Sequence, residues 1–162
     1  SSTTGFHSGD SAGTSRETGF RDYLEQCRPD IGFKGTFRCS TGETPLIIRE
    51  IIRKHTDLNG FYFAEFTQLF HNFHYLADLG RRYVVIGHEY ADPYLSALQD
   101  GTITAILSQA RVCQGYYPLK ILYQYLITGE NPSQEIYYSN VNIIIGSNAE
   151  YLKYSNNGCG FE

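Results

Sequence analysis

The stretch from Arg82 to Glu130 constrains the fold most, because it runs through the same structural unit twice. A short apolar run, Tyr83 to Ile86, ends in Gly87 and two polar residues, His88 and Glu89. Asp92-Pro93 then reads as a helix opening, a capping side chain followed by a proline at the first helical position. Gly101 closes that helix. A second apolar run, Thr104 to Leu107, ends in Ser108 and Gln109 and leads into a longer helix. A buried strand that delivers polar groups at its carboxyl end, twice in succession, belongs in an open α/β sheet. Ligands of such sheets bind outside the carboxyl ends of the strands.

The rest of the chain continues the alternation. Arg16 to Cys27 reads as a helix with Phe20, Tyr23, Leu24 and Cys27 on one stripe. Ile31 to Phe37 alternates as a strand. Thr44-Pro45 opens a helix that buries Leu46, Ile47, Ile48, Ile51 and Ile52. Asn59-Gly60 turns into a strand, Phe61 to Ala64. Leu69, Phe70, Phe73 and Leu76 mark one face of a third helix, which Gly80 stops. In the long helix after Gln109, Val112, Tyr116, Leu119, Tyr123 and Leu126 form an apolar stripe, with Pro118 in its early turns. Two final strands are expected, Ile136 to Tyr138 and Val141 to Ile145. This pattern predicts an α/β, three-layer αβα parallel sheet. Residues 1–15, rich in Ser, Thr and Gly, read as a flexible segment or linker. Residues 16–154 read as a binding domain, and residues 155–162 as a loose tail.

Composition narrows the function. The chain has 162 residues, 41% of them hydrophobic and 19% charged, which suits one globular domain. It contains no methionine, as expected of a fragment or a processed chain. No apolar run approaches the roughly 20 residues that span a bilayer. The net charge is −4, and the 13 Lys and Arg residues are scattered, so DNA binding by this chain itself is not expected. Four cysteines form no C-x-x-C pair and fit no zinc module; they read as free thiols, which favours the cytoplasm, although their even number is compatible with disulfides. No nucleophile elbow, phosphate loop or H-E-x-x-H motif marks an enzyme. His71 and His74, spaced i, i+3, could face one metal, but no carboxylate lies a turn away in register, and packing is the expected role.

The segments V-V-I-G-H-E, Y-L-S-A-L-Q-D-G-T-I-T-A-I-L-S-Q and Q-G-Y before an amphipathic helix ending in G-E carry a resemblance. So do R-E-T-G-F-R-D-Y-L from Arg16 and D-L-N-G-F-Y-F-A-E. Together they resemble the effector-binding module of LacI/GalR-type transcriptional regulators, which shares its fold with type I periplasmic sugar-binding proteins. The resemblance covers roughly residues 16–152. It implies a two-lobed module of which this chain is mainly the second lobe, the C-terminal portion. It further implies a sugar or sugar-derivative effector, no cofactor, a homodimer, and DNA binding by a separate module. A periplasmic or anchored sugar receptor is the alternative.

The resemblance also points to residues. Glu89 stands where sugar-binding members carry an acidic or amide acceptor. A carboxylate can accept from two hydroxyls at once; it could equally answer the dipole of the next helix. His88 lies beside it and could contact the ligand, although a lone histidine is more often structural. Gln109 matches a polar position on the cleft floor, or caps the following helix. Glu65 ends the Phe61 to Ala64 strand, where the family often has Asn-Asp; the Ala-Glu-Phe found here departs from that pattern. Phe66 and Tyr90 are the aromatic residues best placed to meet a sugar ring. Arg16 matches an arginine that reaches a sugar hydroxyl or a ligand carboxylate, or is a solvated helix-start residue.

Overall fold

The computed structural model describes residues 2–7, 9, 11–109 and 111–151. Six strands form one sheet in the order β2-β1-β3-β4-β5-β6. They are β1 (Ser2–His7), β2 (Gly32–Arg38), β3 (Leu58–Phe63), β4 (Val84–His88), β5 (Ala105–Gln109) and β6 (Val141–Ile144). The first five are parallel, and β6 runs antiparallel to β5. The helices are α1 (Ser11–Cys27), α2 (Thr44–Lys54), α3 (Phe66–Phe70), α4 (Phe73–Ala77), α5 (Tyr94–Gln99) and α6 (Arg111–Thr128).

Strand alternation sorts the core onto two faces. Phe6 of β1 packs against Phe37, Phe61 and Phe63 of its neighbours. That cluster continues into Ile48 and Ile51 of α2, Leu69 of α3, Phe73 and Leu76 of α4, and Tyr94, Ala97 and Leu98 of α5. The opposite face takes α1. There Phe20 stacks on Tyr62, and Thr36 donates to the buried Glu17 carboxylate at 2.9 Å. Gly87 is demanded by packing, since a Cβ there would collide with Leu69 Cδ2.

Several expectations need correction. Residues 2–7 form the second strand of the sheet instead of part of a linker, and every one of them is buried. Small polar residues hid this strand: Ser2 and Thr4 hydrogen-bond to the carbonyls of Asp57 and Gly35 and are satisfied inside the sheet. With α1 starting at Ser11, its buried stripe becomes Gly13, Glu17 and Leu24, while Tyr23 and Cys27 are exposed. Leu46 of α2 is also exposed. The third helix is two short helices broken at His71–Asn72, so His71 and His74 do not share one continuous helix. Asp92 makes no side-chain cap; its backbone carbonyl accepts from Leu95 N–H, and Pro93 precedes α5. Residues 136–138 are not a strand. The apolar stripe of α6 is present, yet all five of its predicted members are exposed, because no described element lies over it. Cys27 and Cys39 are free thiols as expected, but Cys113 is disulfide-bonded. The tail call at 155–162 lies outside the described residues. Among the described residues, no helix is long and apolar enough to cross a membrane.

Candidate functional site

The chain leaves β1 toward β2 and then returns past β1 to form β3. This reversal makes a topological switch point between β1 and β3, and ligands of open α/β sheets bind outside the carboxyl ends of the strands at such a point. Glu65, Glu89 and Gln109 follow or end β3, β4 and β5, which are adjacent, so all three reach the same edge of the sheet. Arg16 joins them from the second turn of α1. Its Nη1 donates to the Ala64 carbonyl at 2.9 Å, and its Nη2 lies 4.0 Å from Glu89 Oε1. Both side chains are partly exposed, 26% for Arg16 and 15% for Glu89.

Glu89 has a left-handed backbone, φ 61°, the one positive φ outside glycine among the described residues. Its N–H donates to the Leu107 carbonyl of β5 at 2.9 Å. Non-glycine residues in this conformation concentrate where the surroundings over-determine them, often at functional sites.

His88 is buried, with its Nε2 2.8 Å from the Tyr62 hydroxyl. Burial, and secondarily the charge of Arg16, push its pKa down to about 4. Burial pushes the Tyr62 hydroxyl up to about 12, with Arg16 opposing. Both groups are therefore uncharged at neutral pH. Tyr62 was missed in the sequence. The available signal was its position as the one hydroxyl-bearing residue in Phe61-Tyr62-Phe63, on the face opposite its two neighbours.

The remaining candidates are spread more widely. Glu65 is buried at the N-cap position of α3 without a side-chain capping bond. Phe66 stacks on Phe70 with centroids 4.8 Å apart and leans toward Tyr94, so it belongs to the α3–α5 aromatic cluster. Tyr90 is buried, and burial raises its pKa. Gln109 Oε1 accepts from Gln114 Nε2 of α6 at 2.7 Å, and Gln114 also donates to Ser139. His7, in the stretch read as a linker, ends β1 fully buried with both ring nitrogens unpartnered among the described residues. No group of three metal-ligating side chains occurs among the described residues.

No protein-family model matches this chain, and no curated protein sequence does. Solved structures do. AraP, an arabinose binding protein from Geobacillus stearothermophilus, superposes with a TM-score of 0.79 at 17% identity, over 93% of this chain and 56% of that one. A carbohydrate transporter solute binding protein from Agrobacterium radiobacter, in complex with D-arabinose, gives 0.80 at 19%, over 95% and 54%. A protein named for LacI transcriptional regulators, from Bacteroides fragilis, gives 0.75 at 21%, over 93% and 54%. The chain has the type I periplasmic-binding-protein fold. It spans about half the length of these neighbours, which are sugar-binding and regulatory proteins.

Proposed function

We propose that this chain is the second lobe of the sugar-binding module of a LacI-type transcriptional regulator. It is a binding module and not an enzyme, and a separate module contacts DNA. The observation that carries the reading is the Arg16–Glu89 pair at the carboxyl edge of the sheet. A planar donor fork beside a carboxylate suits the alternating donors and acceptors of neighbouring sugar hydroxyls. Such a ligand acts on DNA binding by favouring one arrangement of two lobes, so its affinity must differ between the arrangements.

The exposed stripe of α6 supports a two-lobed protein. Val112, Leu119 and Leu126 are 65–70% exposed, as expected of a helix whose apolar face is covered by another lobe or by a second protomer. Homodimerisation, a bacterial source and a cytoplasmic location belong to the same proposal. A thermal-shift screen of free sugars, D-arabinose included, tests it. A binder raises the melting temperature by mass action, and a panel without any shift opposes the reading.

One observation favours a second reading. Cys113 is disulfide-bonded, and disulfides persist in oxidising compartments. A periplasmic or anchored sugar receptor of a transporter or sensor kinase would use the same site. Fractionation of the producing cell separates the two, since a receptor is recovered outside the cytoplasm.

A further inference from the structure

The site has a support behind it that the sugar reading does not use. Arg16 and Phe20 stand one turn apart on α1. Arg16 approaches Glu89, while Phe20 stacks on Tyr62 with centroids 4.2 Å apart and planes 12° from parallel. Tyr62 in turn meets His88 through its hydroxyl at 2.8 Å and, ring to edge, at 5.6 Å. His88 directly precedes Glu89. One continuous set of contacts therefore runs from α1 through β3 to the residue that holds the left-handed turn.

We propose that the Tyr62–His88 hydrogen bond is a positioning device for the Arg16–Glu89 pair, fixing the end of β4 so that Glu89 keeps its left-handed backbone and its carboxylate beside Arg16. His88 is then a positioning residue and not a ligand contact. Three anchors converge on the turn. Leu107 of β5 accepts the Glu89 N–H, Tyr62 of β3 holds the His88 ring, and Arg16 of α1 faces the Glu89 carboxylate. Locking a ring at position 88 orients the peptide plane that enters position 89, where a non-glycine residue otherwise relaxes to negative φ. The groups facing the imidazole suit a neutral ring: a hydroxyl from β3 and a guanidinium from α1. A second positive charge there would oppose Arg16. A neutral ring that accepts from the Tyr62 hydroxyl at Nε2 carries its proton on Nδ1.

Tyr62→Phe, His88→Phe and the double variant test this. Each single change strands one buried polar group, whereas the double change removes both partners and brings the melting temperature back toward wild type. In the double variant, hydrogen exchange at the Glu89 amide is expected to speed up about tenfold relative to the amides of β1. His88→Gln, which can still accept from the Tyr62 hydroxyl, is expected to restore most of that protection. Wild-type protection at Glu89 in the double variant overturns the proposal. The sugar readout rests on the function proposed above and uses D-arabinose. If wild type binds it, the double variant is expected to bind about tenfold more weakly, and unchanged affinity overturns the positioning role. A wild type that does not bind D-arabinose counts against that sugar alone, and the amide readout still decides.

Discussion

The body of the sheet and residues 112–138 are both rich in apolar and aromatic residues, yet only the first buries them. Phe6, Ile48, Phe63 and Ile106 have no exposed surface. In the other region Leu119 is 69% exposed, Leu126 70% and Tyr138 85%. Both regions follow the periodicity of their secondary structure. The difference lies in topology. Strands β1 to β5 and helices α1 to α5 supply one another's cover, whereas α6 leaves the sheet after β5 and meets no described element along its stripe. Periodicity reports which side chains need cover and is silent on what provides it.

The largest expected effect separates the two regions by substitution. Phe63→Ala removes a ring stacked on Phe6 in the closed core and should cost about 3–5 kcal/mol. Leu126→Ala should change the stability of this chain by less than about 0.5 kcal/mol, as an exposed surface site does. Chemical denaturation of the two variants checks this. A large loss at Leu126 would mean that α6 is already covered within this chain, which would break the comparison.

Acid should act on the body and leave the α6 segment untouched. The folded-state pKa of His88, about 4, lies below its ordinary value of 6.5. Its contribution to stability is therefore complete above pH 6.5 and is lost as the pH falls toward 4. Discounted for solvent screening, the loss is on the order of 2 kcal/mol. Melting curves between pH 7 and pH 4 should flatten in His88→Gln, and identical pH profiles in the two proteins would contradict the assignment.

A smaller effect should come from the turn after β4. The left-handed backbone of Glu89 strains a residue with a Cβ. Glu89→Gly should raise stability by about 0.5–1 kcal/mol while removing the carboxylate. A loss of stability would show that the Arg16 contact outweighs the strain.

Much of this architecture was readable in the sequence. The apolar runs at 83–86 and 104–107 and the opening at Thr44-Pro45 announced β4, β5 and α2, because apolar periodicity and helix-start chemistry are local signals. The placement of Glu65, Glu89 and Gln109 on one edge followed from strand order. What escaped depended on distant contacts. Ser2 to His7 look like a linker until neighbouring strands accept their hydrogen bonds. The hydrogen-bond partner of His88 is Tyr62, 26 residues away, which no local pattern names. The contacts of the partly buried Phe66 with Phe70 and Tyr94 likewise depend on how α3 and α5 pack. The break between α3 and α4 lies inside a stripe that stays apolar on both sides, so periodicity alone runs through it.

The central claim is that a hydroxyl-rich ligand is held by Glu89 beside Arg16. Isothermal titration of a sugar selected by the thermal screen, against wild type and Glu89→Ala, tests it most directly. The account predicts binding by wild type and a loss of about 1.5–3 kcal/mol in the variant, the worth of a charge-assisted hydrogen bond, with the fold retained. Equal affinity in the two proteins would contradict it.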